Sequence, residues 1–383
     1  MPVAQLNRVS VSEAEGHGFD SRRAHFIKID KDKTMRPLEF IFSVRNERFR
    51  KVFTIFGIQI KIAIGKSFNK YFPVFLPPYC AYFFLSLISF WGNKTDFDIE
   101  NDYKNLIRNL DDQSIDTIDG ILDFYRLRSS KDAKKLLSRI KEFKIFHKNF
   151  YKIFESKILK INDNLYSYDK YMLPIRHFES SVFYHKHSIK ELTTLDKVRQ
   201  KDIIDVGGFI GDSALVFSDF TDKKIYSFEP SVENFEFMKK TIELNNLTNV
   251  VPVNIALGDK VSEILSICGN SSCVSIAPPP SGTLSSNTAI EATTLDNFVA
   301  KNNIEVGLIK VDIEGYEQKF LKGAENTIKN QKPVLLISIY HSLDDFLHIK
   351  PIIESWNLGY TFRIIKPKES YFLETLLVAE VLN

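Results

Sequence analysis

The run at 203–212, IIDVGGFIGD, constrains the fold more than any other stretch of this chain. Branched apolar residues end in Asp205, and Gly207, Gly208 and Gly211 follow at once. The pattern reads as a strand, a glycine turn and the start of a helix. Gly207 and Gly208 let the backbone turn tightly and approach a ligand closely, and Gly211 lets the helix pack on the strand. From Lys201 onward the alternation continues. KIYSF, VVPVNIAL, VGLIKVDI and PVLLISIY are strand-like, and helical stretches occupy 211–219, 231–244, 316–329 and 343–356. Strands alternating with helices imply βαβ units in a mostly parallel sheet. The runs are apolar on both faces, as strands covered on two sides should be. The last two, YTFRII and LLVAEVL, have no helix between them and should form an antiparallel hairpin at the sheet edge.

Ligands bind beyond the C-terminal ends of the strands in such sheets. Asp205 sits there, and so does Glu229, which closes the next strand in the sequence FEP. A carboxylate beside a glycine turn repels phosphate and suits a ligand that is cationic at that point. Glu229 stands where these folds bind ribose hydroxyls. A cationic amino group plus a ribose describes S-adenosylmethionine better than NAD. The dinucleotide fingerprint G-x-G-x-x-G also fails, because its second glycine position is Phe209. Two alternatives stay open: an NAD-type oxidoreductase on the same sheet, and a non-catalytic membrane-docked scaffold. Intact Asp205, Glu229 and Asp312 argue against the scaffold.

A second constellation, LIKVDIEGYEQKFLKGAENTI at 308–328, ends an apolar strand in Asp312, Glu314 and Gly315 before a helix begins. Together with IIDVGGFIGD, FEP, NIALGD at 254–259 and TTLDNF at 293–298, it resembles the FkbM-type S-adenosylmethionine-dependent methyltransferases. The resemblance covers about residues 200–382, and KVDIEG with LKGA is its most diagnostic part. One departure is Gly207-Gly208-Phe209, where the family usually reads GAN. The N-terminal half is similar to the accessory region of bacterial members encoded among surface-glycan genes.

The resemblance implies a Rossmann-like class I methyltransferase sheet of seven mostly parallel strands with a C-terminal antiparallel hairpin and a mainly helical N-terminal extension. It implies an O-methyltransferase acting on a sugar or glycan precursor. Asp205, Gly207, Gly208 and Gly211 would line the methionine part of the cofactor, and Glu229 the ribose. Asn254, Ala256 and Leu257 would lie near the adenine, mainly through backbone. Asp312 and Glu314 would face the methyl donor or acceptor. The sequence then divides into a non-native or disordered leader at 1–34, a small β-like unit with an apolar aromatic segment at 35–95, a helical accessory region at 96–199, and the methyltransferase domain at 200–383.

A sugar hydroxyl is a weak nucleophile and needs a base, or a metal that lowers its pKa. His341, in SIYHSLDDF, is the natural base beside Asp312 and Glu314. The same Asp312, Glu314 and His341 could instead hold a divalent cation, since oxygen ligands plus one imidazole suit magnesium or manganese. No contiguous metal motif supports that second reading. Glu179, His185 and His187, in RHFESSVFYHKHS just before the first strand, form a plausible acceptor wall.

The net charge of +3 gives no case for nucleic acid, and the lysine-rich segment 131–160 carries its aromatics at helical spacing, as a core-facing stripe does. Cys80, Cys268 and Cys273 form neither a metal pattern nor an even disulfide set, which fits a reducing cytoplasm. No apolar run is long enough to span a bilayer without a break. The nearest, Tyr71–Trp91, is interrupted by Pro73, Pro77 and Pro78 and follows a basic flank. It is read as a buried helix, with contact at the inner membrane surface as the alternative. Met1–Phe26 has no signal-peptide pattern and looks like a transfer-RNA gene read through as protein, which makes Met35 the expected natural start. Gly269–Ala289 is polar and Pro/Ser-rich, so it is expected to be a lid or a disordered loop.

Overall fold

The computed structural model describes residues 42–47, 50–55, 58–63, 96–129, 145–268, 275–277, 289–370 and 373–382. The expected leader, the segment Tyr71–Trp91 and nearly all of 269–289 lie outside these residues. The chain divides into two compact units, Met1–Pro78 and Tyr79–Asn383. In the first, β1 (Phe42–Glu47), β2 (Arg50–Ile55) and β3 (Ile58–Ala63) pair as an antiparallel meander.

The second unit opens with helices α1 (Asp96–Ile107), α2 (Asp112–Ser129) and α3 (145–155). A small antiparallel sheet follows: β4 (Ile158–Asn162), β5 (Leu165–Tyr168) and β6 (Tyr171–Leu173). The accessory region was expected to be helical. Residues 158–173 instead form these three strands, with Tyr168 and Tyr171 paired across β5 and β6 and both buried. Short helices α4 (Ser180–Phe183) and α5 (Leu195–Arg199) lead into the main sheet.

That sheet is built from β7 (Asp202–Val206), α6 (Asp212–Phe217), β8 (Ile225–Phe228), α7 (Val232–Leu244) and β9 (Val250–Val253). A four-stranded side sheet comes next: β10 (Ala256–Leu257), β11 (Glu263–Cys268), β12 (Ser275–Ala277) and β13 (Ala289–Thr293). Helix α8 (Leu295–Asn302), β14 (Val306–Val311), α9 (Glu317–Gln331), β15 (Val334–Ser338) and α10 (Leu343–Ser355) return the chain to the main sheet. Strands β16 (Thr361–Ile365) and β17 (Leu376–Glu380) finish it.

The strand order is β16-β17-β15-β14-β7-β8-β9. Pairs from β15 to β9 are parallel, and β17 runs antiparallel to both β15 and β16. This is the seven-stranded, mostly parallel, Rossmann-like sheet expected from the sequence, with the antiparallel hairpin at one edge.

Two apolar clusters cover the two faces. Ile204, Val206, Ile309, Val311, Leu335 and Ile337 face one way, where they meet α1, α2, α9 and α10. Ile203, Leu308, Leu336 and Val378 face the other, where they meet α4, α6 and Phe154 of α3. The accessory helices α1 and α2 therefore belong to the core. Ile364 N–H donates to Ser114 Oγ at 2.8 Å, and buried Lys350 donates to the Arg108 carbonyl. The first contact, with the parallel bridge between Leu110 and Phe362, covers the outer edge of β16, which would otherwise offer unpaired backbone. In α9, Gly323 lies so close to the preceding chain that a Cβ there would fall 1.8 Å from the Gly258 carbonyl oxygen. The LKGA sequence is thus a packing requirement.

One row across the sheet is polar. Register places Ser227 of β8, Asp205 of β7 and Lys310 of β14 side by side. Ser227 Oγ donates to Asp205 Oδ2 at 2.6 Å, and Lys310 Nζ lies 3.3 Å from Asp205 Oδ1. All three are buried. Removing one charge strands the other in a dry interior. Lys310→Met should destabilise the protein by about 3–5 kcal/mol in urea titration, and adding Asp205→Asn should recover much of that loss.

Candidate functional site

The glycine turn lies over the ends of β7, β8 and β14. Gly207 and Gly208 N–H both donate to the Phe228 carbonyl, at 3.0 and 2.8 Å, and Asp312 N–H donates to the Val206 carbonyl at 3.0 Å. Gly207 has φ +78°, and a Cβ there would sit 1.9 Å from the Asp312 carbonyl oxygen. A Cβ on Gly208 would sit 2.0 Å from Ser227 Oγ. Neither position admits a side chain. Gly211, at φ +84°, starts α6 against Met238. Lys310 Nζ donates to the Gly207 carbonyl at 2.8 Å, so the buried ion pair also holds the turn. The ammonium group facing Asp205 is therefore the chain's own. Direct contact of Asp205 with a ligand's amino group, expected from the sequence, gives way to support of the turn.

Glu229 sits beside that turn. Its Oε2 accepts from Phe209 N–H at 3.0 Å, and its Oε1 accepts from Ser231 N–H at 2.8 Å. Burial pushes its carboxyl up to about 7 despite those donors. Asn254 Nδ2 donates to the Glu229 carbonyl at 2.7 Å and braces the same corner. Ala256 and Leu257 are different. They pair with Ala292 and Thr293 in the side sheet, which turns their side chains into the core.

At the end of β14 the chain turns sharply, with Glu314 at φ +57° and Gly315 at φ +94°. Ile313 N–H donates to Glu317 Oε1 at 3.0 Å. His341, just after β15, lies between the acids. Its Nδ1 is 2.8 Å from Glu317 Oε1, and its Nε2 is 3.2 Å from Asp312 Oδ1 and 3.7 Å from Glu314 Oε2. Burial opposes charge on the ring, but Glu317, Asp312 and Glu314 outweigh it and hold the imidazolium well above its ordinary range. Three acids around one ring favour its cationic form. Asp312 is driven down to about 2, with His341 and Lys310 overcoming its burial. Glu314 goes the other way. Burial pushes it up to about 7 against the pull of His341, helped by the neighbouring Asp312 and Glu317 charges.

Carboxylate oxygens of Asp312 and Glu317 and a ring nitrogen of His341 lie within 4.8 Å of one another, so Glu317 takes the place expected for Glu314 in a metal set. His341 turns opposite nitrogens to the two acids, so no single nitrogen faces both. The arrangement is an ion-paired relay, hydrogen-bonded between His341 Nδ1 and Glu317.

Beyond Asp312 opens a cavity of about 310 Å³, lined in part by Phe146, Phe150, Tyr184, His185, His187 and Glu374. His185 and His187 therefore share this cavity with Asp312. Their partners are Glu369 Oε1, 2.7 Å from His185 Nε2, and Ser213 Oγ, 2.9 Å from His187 Nε2. Burial holds the His187 ring neutral, with its pKa down to about 3. Glu179 lies 3.1 Å from His177, near enough to Asp212, Glu314 and Glu374 for its charge to raise all three, and the His177 ring packs on Phe209 with centroids 4.8 Å apart.

Sequence reasoning passed over Lys310, Glu317, Asp212 and Glu374. Lys310 left a signal, a charge in the middle of an apolar strand run. Glu317 left a weaker one, three residues after Glu314 in IEGYE. Asp212, pushed up to about 7 by burial, reads as an ordinary helix-start acid. Glu374 left none, because the turn ahead of β17 brings it to Asp312.

Residues 205–362, less than half of the chain, match the model of the methyltransferase FkbM domain. A curated relative, Methyltransferase 1 of Beauveria bassiana (strain ARSEF 2860), is 22% identical over 191 residues, covering 43% of this chain and 74% of its own length. Among solved structures, methyltransferase FkbM from Methylobacillus flagellatus KT is 17% identical with a TM-score of 0.48, over 73% of this chain and 58% of that one. The present chain thus spans under two thirds of that relative. TYW2 of M. jannaschii, solved in complex with AdoMet, is 14% identical with a TM-score of 0.30, over 58% of this chain and 87% of that one.

The relay has a direct test. Glu317→Gln should bring His341 down toward the ordinary imidazole range, read by NMR titration of its ring protons. An unchanged midpoint would show that Asp312 and Glu314 hold the proton unaided.

Proposed function

We propose that this protein is an S-adenosylmethionine-dependent O-methyltransferase whose acceptor is a hydroxyl of a sugar or glycan precursor. The observation that carries the reading is the ring of carboxyl groups around the glycine turn. Asp212, Glu229, Asp312 and Glu314 converge there, with Lys310 and His341 set among them and Asp205 paired to Lys310 beneath. A pyrophosphate would be repelled by that floor, whereas a sulfonium is attracted to it. The match of residues 205–362 to a methyltransferase domain supports the same chemistry.

In this reading Glu229 accepts from the ribose hydroxyls, and the Gly207–Gly211 turn cradles the methionine end. The acceptor hydroxyl enters from the cavity beside Asp312. Bound on that turn, the cofactor would supply an electrophilic methyl group to the acceptor oxygen. The sulfonium already makes a good leaving group, so the protein chiefly aligns the two partners. The hydroxyl proton passes to Glu314, whose elevated pKa makes it a competent base near neutrality. Asp312, clamped by His341, stays ionised and orients the acceptor. Neutral His187 and the aromatic walls of Phe150 and Tyr184 suit an uncharged, hydroxyl-bearing ring.

Calorimetric titration with S-adenosylhomocysteine tests the cofactor. The wild type should bind in the micromolar range, Glu229→Ala should weaken binding by about tenfold or more, and NADH should give no heat. Absence of S-adenosylhomocysteine binding by a folded wild type would sink the reading. The base is tested separately by the pH profile. Glu314 must lose its proton before it can accept one, so the rate should rise with pH through about 7. Glu314→Gln should abolish that limb and lower the rate by about 10²–10⁴-fold.

A further inference from the structure

Nine large apolar side chains are exposed among the described residues, and six of them fall within 145–184: Ile145, Phe146, Ile153, Leu159, Ile161 and Tyr184. Scattered exposure needs no cause, but clustering does. Helix α3 shows the reason most clearly. A helix on a globular protein carries one apolar stripe, turned to the core. Phe150 and Phe154 form that stripe here, with their rings stacked 6.0 Å apart over the core below. Ile145, Asn149 and Ile153 recur every four residues on the outward face, and all three are exposed, Ile153 by 63%.

Charge says what covers this second stripe. Lys148 and Lys152 are exposed beside it, and Lys157 and Lys160 follow. Lys160 pairs with Asp163 at 2.7 Å, which leaves Lys148, Lys152 and Lys157 against one acid in 145–162, Glu155, itself paired with Arg176. An outward apolar strip edged with lysines matches the headgroup boundary of an anionic bilayer. Its place matters too. Phe146, Phe150 and Tyr184 line the cavity that reaches Asp312, so a surface under α3 lies at the cavity mouth.

We propose that the outer face of α3 docks on an anionic lipid membrane and that the acceptor is drawn from that membrane into the cavity. The second half rests on the methyl-transfer reading; the docking does not.

The experiment is co-sedimentation of the full chain with vesicles of phosphatidylcholine alone, or mixed with phosphatidylglycerol. The wild type should bind the mixed vesicles, bind less as salt rises, and ignore phosphatidylcholine. Two double variants, Ile145→Asp with Ile153→Asp and Lys148→Glu with Lys152→Glu, should each lower partitioning by about tenfold or more. Unchanged S-adenosylhomocysteine affinity in both would show that the fold is intact. Undiminished vesicle binding by the variants would overturn the proposal and place the contact elsewhere. So would no binding by the wild type, or a dimer in sedimentation that Ile153→Asp dissolves without any vesicle binding. Vesicle binding kept while S-adenosylhomocysteine binding is absent would sink only the methyl-transfer reading.

Discussion

The ion pair between Asp205 and Lys310 is the interaction on which the site's geometry depends. Charged side chains in the middle of a parallel sheet are costly, because the helices on both faces exclude water. The cost is offset by close contacts: Ser227 on one carboxylate oxygen, Lys310 on the other, and the Gly207 carbonyl on the ammonium. The last of these ties strand chemistry to loop geometry. The glycine turn is held from below by a side chain of a neighbouring strand and from the side by the Asp312 backbone, with no room for a Cβ at Gly207. Shape at the ligand end of β7 thus follows from electrostatics one row beneath it.

The same economy of charge divides the acids at the site into kinds. Asp312 lies against His341 and near Lys310 and stays ionised. Glu229, Asp212 and Glu314 lack so close a cation, and burial lifts each of them to about 7. A crowd of carboxyls of mixed protonation can accept a cationic ligand by releasing protons, a cheaper route than holding several bare anions in a dry pocket. Histidine is divided likewise. His341, among carboxylates, is cationic, while His187, beside Lys310 and Lys186, is neutral.

The strands and helices after Lys201 were legible because each apolar run is bounded by a helix signal. The ends of β7, β8 and β14 were legible because their acids interrupt those runs. What stayed hidden was pairing across distance. Nothing local says that Lys310 would answer Asp205, since sheet register alone brings them together. The surroundings of His341 could not be read either. An isolated histidine suggests a base, and only the fold brings Glu317 to its far nitrogen. The strands at 158–173 were missed because an aromatic run after a lysine-rich helix keeps the look of helical spacing.

The walls of the cavity follow a division within the chain. Glycine turn, Glu229, Asp312 and His341 all fall inside the matched domain at 205–362. Phe146, Phe150, Tyr184, His185 and His187 come before it, and Lys366, Glu369, Glu374 and Leu376 come after it. In the methyl-transfer reading the donor side is thus built by the sheet, whose strand ends are fixed by packing on both faces. The acceptor side is built by segments laid against it from outside, held by polar contacts such as His185 to Glu369. Those segments can change their side chains without disturbing Asp205, Lys310 or the glycine turn. In this proposal, acceptor identity is therefore encoded in the accessory region and in the β16–β17 connection, the parts that a methyltransferase-domain match leaves undescribed.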